Sequence, residues 1–246
     1  MRQVAASMTE AVILMAGSGS RLRADGKLLP KPLVQIGGRP LISYTLDALQ
    51  AVGVTTLHVV VGFESDALLS GLASLVPVQM RLHPIPNADW HKQNGVSLLC
   101  AAPHVARPFL LLMGDHLFER RLLVDFIRDV ERGLVNLAID RKINSIFDLD
   151  DAMKVQTRAG LVVAIGKTLS DYDAIDTGIF VCPVEIFRYL KRAQQDNDCS
   201  LADGVRLMAT AGKVRAVDIG DAWWQDVDDR EMLGQAEELA TRLAKM

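Results

Sequence analysis

Four short apolar runs, AVILM (11–15), TLHVVVG (56–62), VQMRLHP (78–84) and PFLLLMG (108–114), are separated by stretches long enough to form a helix. Runs of this length, rich in Val, Leu and Ile, read as strands, and the spacers read as crossover helices joining a mostly parallel sheet. This alternation constrains the chain most: it predicts an α/β, Rossmann-like, mostly parallel mixed sheet flanked by helices. Pro40 to Gln50 reads as a helix with proline in its first turn and Gly53 just past its end. Residues 65–75 and 95–102 supply two more, and 120–132 a fourth. After residue 134 the pattern changes. NLAID continues the sheet, 151–166 hold two short β-type runs around a turn, and AIDTGIFVC (174–182) adds a strand, so a small β-rich extension is expected in the second half. Ser200 and Asp203 read as a cap opening a helix over 200–211, and residues 230–246 as a final amphipathic helix. No composition break, linker or repeat divides the halves, so residues 1–246 are expected to form a single domain.

About half of the 246 residues are hydrophobic, enough to bury a full core. The net charge of −3 comes without lysine-arginine blocks, which argues against a nucleic-acid surface but leaves room for a small anionic ligand held by local cations. Cys100, Cys182 and Cys199 are scattered, with no CxxC pair and no His at a metal-ligand interval, and read as ordinary thiols in a reducing compartment. Thr9 and Glu10 interrupt a faint signal-peptide pattern at the N-terminus, and the apolar runs fall far short of the roughly 20 residues that span a bilayer. A soluble, cytoplasmic protein without direct membrane insertion is the expectation.

The first strand runs directly into GSGSRLR (17–23). A glycine-rich turn at the carboxyl edge of such a sheet presents backbone N–H groups where anions are favoured. Two familiar phosphate loops do not fit. The dinucleotide pattern G-x-G-x-x-G has Leu22 in place of its third glycine, and the P-loop has Arg21 in place of its first glycine and Leu28 in place of Ser/Thr. The turn alone is equally compatible with a structural role. What shifts the reading toward phosphates is that Arg21, Lys27 and Lys31 follow within one long polar loop.

Two acidic stretches complete the set. In LLLMGDHLF, Asp115 ends the fourth strand, where a carboxylate without a partner is costly to bury and is expected to face the cleft; the alternative is a cap for the helix over 120–132. AWWQDVDD carries Asp226, Asp228 and Asp229 behind two tryptophans, with Asp229 assigned to a helix N-terminus and Trp223 and Trp224 to packing. His116, beside Asp115, invites a hydrolase reading, but no G-x-S-x-G elbow or marked nucleophilic cysteine supports it. Together the stretches fit nucleotidyl transfer, which requires cations on the phosphates, oxygen ligands for Mg²⁺ and in-line placement of the attacking oxygen.

These residues resemble the nucleoside-diphospho-sugar pyrophosphorylases, or sugar-phosphate nucleotidyltransferases. The family signature G-x-G-[ST]-R-L followed by P-K-P-L appears as GSGSRL (17–22) and PKPL (30–33), then GGRPLISYTLDAL (37–49), with a shorter spacing than in many sugar enzymes. Within the family the likeness is to inositol-1-phosphate cytidylyltransferases, carried by NGVSLLCA (94–101), LMGDH (112–116), DDAMKV (150–155), IGKTLSDYDAIDTGIF (165–180) and WWQDVD (223–228). By position, the resemblance implies that Ala16, Gly17, Ser18, Gly19 and Ser20 cradle a triphosphate and that Arg21 and Lys31 clamp it. It implies base and ribose contacts from Asn94, Gly95 and Ser97, with NGVSL tilting the base toward cytosine. Asp115 and Asp228 become catalytic Mg²⁺ ligands, with Asp226 as runner-up, and Lys167, Asp176, Thr177 and Gly178 face the phosphorylated acceptor.

The implied reaction takes CTP and a phosphorylated alcohol, inositol 1-phosphate first, to a CDP-alcohol and pyrophosphate. Phosphocholine, a phosphonate, or a sugar 1-phosphate with UTP or another nucleotide are alternative substrates, and a nucleotide-binding regulator on the same scaffold is the alternative outside enzymes. In several relatives this domain is fused to a membrane-embedded transferase that uses the CDP-alcohol; for this chain such a partner is expected to be separate.

Overall fold

A computed structural model describes residues 8–22 and 29–243, with side chains to residue 240. In chain order the elements are β1 (Glu10–Met15), β2 (Gln35–Ile36), β3 (Arg39–Pro40), α1 (Leu41–Ala51), β4 (Thr56–Val61), α2 (Ser65–Ala73), β5 (Arg81–Pro86), α3 (Asn94–Cys100), β6 (Phe109–Met113), β7 (His116–Phe118) and α4 (Arg120–Arg128). The second half adds β8 (Val135–Asp140), β9 (Lys154–Arg158), β10 (Leu161–Gly166), β11 (Ala174–Cys182), α5 (Ile186–Ala193), α6 (Leu201–Thr210), β12 (Val214–Asp218), β13 (Trp224–Asp226) and α7 (Arg230–Leu243).

Among the described residues one nine-stranded sheet runs in the order β5-β4-β1-β6-β11-β8-β12-β10-β9. Only β11 and β10 oppose the common direction, which gives the mostly parallel mixed sheet expected from the alternation. β1 and β6, inside the sheet, are buried on both faces, which is why their sequences are continuous apolar runs, whereas the outer strands β5 and β9 carry polar, exposed residues. In β1, Val12 and Leu14 point into one core with α3, α5 and α6, while Ala11, Ile13 and Met15 point into the other with α1, α2 and α4. A smaller cluster of Ile36, Leu41, Leu117, Val227 and Ala236 seats α7 against β2. No described helix is long and apolar enough to cross a membrane.

The chain departs from its pattern in a few places. Residues 78–80 form a turn closed by Met80 N–H on the Pro77 carbonyl, leaving Val78 fully exposed, and pairing with β4 begins only at Arg81. α4 stops at Arg128, short of residue 132, and Glu119 rather than Asp115 precedes it. β12 inserts between β8 and β10 without having been anticipated, as do the two short ribbons β2–β3 and β7–β13.

From β1 the chain crosses to β4 and β5 on one side, then returns to place β6 on the other. The sheet order therefore reverses between β1 and β6, and ligands of open α/β sheets bind in the crevice at such a switch point. Gly114 N–H donates to the Leu14 carbonyl at 3.0 Å, which holds the ends of the two strands level.

Candidate active site

Beyond Met15 the chain turns through Gly17–Ser20, closed by Leu22 N–H on the Gly19 carbonyl at 3.2 Å. Gly19 has φ of +58°, a left-handed conformation that costs other residues energy, and a side chain there would come within 3.0 Å of Lys31 Cβ. The turn thus lies directly on the Lys31 stem. Lys31 itself opens a short helical turn, Lys31–Leu33, whose Pro32 and Leu33 are buried, so its backbone is fixed.

The Lys31 side chain is 11% exposed and its Nζ lies 2.8 Å from Asp115 Oδ2 while also contacting Asp228 Oδ1. Arg21 Nη2 approaches Asp228 Oδ2 at 2.5 Å from the solvent side. Asp115 arrives two residues past β6. Asp228 arrives because β13 pairs antiparallel with β7, Asp226 opposite His116, and Val227 N–H donates to the Asp115 carbonyl at 2.9 Å. Burial works against the Lys31 charge, but the two carboxylates outweigh it and raise its pKa. Burial likewise pushes Asp115 up, yet Lys31 and the hydrogen bond from His116 hold its carboxyl well below the usual carboxylate range.

This cluster joins two adjoining hollows. One, about 250 Å³, is lined by Gly17, Ser18, Gly19, Ser20, Arg21, Lys31, Asp115 and Asp228. The other, about 420 Å³, extends from Ala16, Gly17 and Arg21 past Asn94 and Ser97 to Lys167, Asp176, Gly178 and Asp226. Asn94 Oδ1 accepts the Leu201 N–H at 2.8 Å and Ser97 Oγ accepts Asn87 Nδ2 at 2.9 Å, so both side chains are held by the fold. At the far end the β11–β8 register slips after Asp176, a bulge that re-aims Asp176 and Gly178 into the cavity. Burial raises the Asp176 carboxyl to about 6 against the pull of the Gly178 N–H and His116. Burial also raises Asp226, with His116 opposing and Asp228 and Asp115 adding to the rise.

Two expected site residues lie elsewhere. Thr177 is fully buried and its hydroxyl donates to the Ala138 carbonyl, because the bulge turns its neighbours outward and leaves it inside the sheet. Gly95 is not among the residues lining either hollow and packs under the α6 cap, where a Cβ would meet the Cys199 carbonyl oxygen at 2.6 Å, so its lack of a side chain serves the α3–α6 contact. Lys27, counted with the loop cations, lies outside the described residues. Asp229 caps α7 by accepting the Met232 N–H at 2.9 Å. Trp223 packs in the small core, whereas Trp224 also lines the cavity and stacks on His116. The sequence reading passed over Asp151, whose contacts with Lys167 and, at 3.8 Å, with Arg21 span both sides of the cavity. The signal for it was its place in DDAMKV, a run of acids just before a strand.

The pattern of the MobA-like NTP transferase domain matches residues 11–142, which hold the glycine turn, Lys31 and Asp115. The chain belongs to this family. As an NTP transferase domain it is similar over 95% of its length to bifunctional IPC transferase and DIPP synthases, 34% identical to that of Thermococcus kodakarensis and 29% to that of Aquifex aeolicus. It spans about half the length of these curated relatives, 51% and 52%. Its fold matches a solved inositol-1-phosphate CTP transferase from T. maritima with a TM-score of 0.83 at 24% identity, covering 96% of this chain and 98% of that one. The family and fold resemblance read from the sequence is thereby established.

Proposed function

We propose that this NTP transferase domain is a cytidylyltransferase that joins CTP to a phosphorylated alcohol, inositol 1-phosphate first, and releases pyrophosphate. The observation that carries the reading is the meeting of Asp115 and Asp228 on Lys31 beside the Gly17–Ser20 turn. The names of the relatives support the choice of nucleotide and acceptor.

In this reaction a phosphate oxygen of the acceptor forms a bond to the α-phosphorus while the bond to the bridging oxygen breaks, and pyrophosphate leaves with the electron pair. No covalent enzyme intermediate is needed. The Gly17–Ser20 backbone and Arg21 bind the leaving phosphates, and Lys31 offsets charge near the α-phosphorus, groups whose loss in comparable sites costs 10²-fold or more. Asn94 and Ser97 line the nucleoside side, and Lys167, Asp176 and Gly178 the acceptor side, so one domain serves both substrates.

The residues fit Mg²⁺. A hard divalent cation typically takes one or two carboxylates and completes its shell with phosphates and water, and the convergence of Asp115 and Asp228 on one point supports their sharing such an ion. Asp115 and Asp228 would hold the ion, which supplies charge neutralisation on the triphosphate. We assign the reaction to the cytoplasm, with the CDP-alcohol as the substrate of a membrane-embedded transferase.

The test pairs CTP, UTP, dTTP and GTP with inositol 1-phosphate, phosphocholine, a phosphonate and glucose 1-phosphate, scored by pyrophosphate release. CTP with inositol 1-phosphate is expected to turn over best. Turnover with another pair and none with this one rejects the assignment, and nucleotide binding without any release of pyrophosphate identifies a regulator.

A further inference from the structure

His116 has no part in the reaction as written, yet it touches the centre of the site. Its Nδ1 lies 2.8 Å from Asp115 Oδ1, while the other oxygen of the same carboxylate faces Lys31 at 2.8 Å. A carboxylate paired with an ammonium only accepts hydrogen bonds, so Nδ1 carries the hydrogen. The ring is held from several directions. It stacks on Trp224 with centroids 5.8 Å apart and planes 17° from parallel. The indole is itself tied down, its Nε1–H donating to Asp140 Oδ2 at 3.0 Å. Asp140 Oδ1 in turn accepts the Lys142 backbone N–H at 2.7 Å and its Nζ at 2.8 Å. Against the ring edge lies Gly178, at φ +73°, where a Cβ would stand 2.6 Å from His116 Nε2. The missing side chain at Gly178 is what leaves room for the imidazole.

We propose that His116 is a positioning residue for Asp115: clamped between Trp224 and Gly178, its Nδ1–H commits one carboxylate oxygen and leaves the other turned toward Lys31 and the divalent cation. The inference rests on the nucleotidyl-transfer reading above. Outer partners of ligating carboxylates typically contribute 10–100-fold to metal affinity or activity.

The experiment uses the full chain with His116→Asn, His116→Gln and His116→Ala. Asparagine presents an N–H close to the position of Nδ1 and glutamine close to that of Nε2, so only asparagine restores the bond to Asp115. Two readouts are taken: kcat and acceptor KM for pyrophosphate release, and Mn²⁺ affinity by electron paramagnetic resonance with CTP present and acceptor omitted. H116A and H116Q are expected to lose about 10–100-fold in kcat and in Mn²⁺ affinity. Acceptor KM should change by less than about 3-fold, and H116N should stay within about 5-fold of wild type in both readouts, the margin left for an imperfect mimic of one hydrogen bond. Thermal melts check folding, and should H116A unfold, the contrast between H116N and H116Q decides. Equal Mn²⁺ affinity in wild type and H116Q, or H116N no better than H116Q, overturns the proposal. Wild-type protein that binds Mn²⁺ and CTP but transfers to no acceptor overturns the function reading instead, and the Mn²⁺ comparison still decides the role of His116.

Discussion

Lys31 Nζ stands 2.8 Å from Asp115 Oδ2, and the same ammonium contacts Asp228, so one largely buried cation joins the two halves of the sequence. Replacing Lys31 by Met removes the one cation shared by the two carboxylates and leaves Asp228 to the exposed Arg21 and Asp115 to His116. Breaking a buried pair by removing one partner typically costs about 3–5 kcal/mol, and the water at the cleft mouth places Lys31→Met near the lower end. Urea unfolding should show that loss, and pyrophosphate release should fall at least about 10²-fold. A variant with native stability and turnover would mean that the cluster is incidental.

Asp228 contacts both Lys31 and Arg21, whereas Asp226 sits opposite His116 one step deeper in the ribbon. Asp115→Asn and Asp228→Asn should therefore each lower kcat by about 10²-fold or more, and Asp226→Asn by about 10-fold or less, on the scale of losing a key electrostatic group against a peripheral one. The comparison is made at saturating Mg²⁺. The reverse ranking assigns the second ligand to Asp226.

Gly17 and Gly95 separate ligand contact from packing. A Cβ at Gly17 meets nothing within 4 Å, while one at Gly95 runs into the Cys199 and Ser200 backbone at 2.6–2.7 Å. Gly17→Ala should leave stability within about 0.5 kcal/mol of wild type, as surface changes usually do, yet raise the KM for CTP by about 10-fold as the methyl enters the phosphate cradle. Gly95→Ala should instead lower stability by about 1–3 kcal/mol, the usual cost of overpacking. An unchanged KM in Gly17→Ala removes the cradle from the mechanism.

His58 predicts a pH dependence unrelated to catalysis. It is buried on β4, stacked on His83 of β5 at 5.4 Å, with Glu10 Oε2 3.5 Å from its Nε2. Burial lowers its pKa most; Glu10 pulls it up, and His83 and His104 push it down. The folded chain thus resists protonation that the unfolded chain accepts below about 6.5, so this stability is present above that pH and is lost as pH falls through the folded value. Urea midpoints of wild type and His58→Gln between pH 7.5 and 5 check it: the wild-type midpoint should fall more steeply. Parallel curves would show that His58 is free to titrate.

The order of strands and helices was legible because its signals are local. Residues 11–15 of β1 are apolar without a break since both faces are buried there, and the Ser200–Asp203 capping box forms within one turn. The glycine turn, Arg21, Lys31, Asp115 and Asp228 were legible as types of residue in an order. The three-residue ribbon of β7 and β13 was not, because so short a pairing leaves no periodic trace, and that ribbon is what carries Asp228 to Asp115. The orientation of Thr177 and Gly178 was equally hidden, since a bulge depends on the register with a partner strand and reverses which neighbour faces the cavity.

By itself, then, the amino-acid order determined an α/β sheet with a phosphate-suited turn and a set of charged candidates, since hydrophobic period, caps and turns act over a few residues. Tertiary structure alone decided which charges meet, which glycine makes room for His116 and which packs against α6, because those contacts depend on the strand order and register of the nine-stranded sheet.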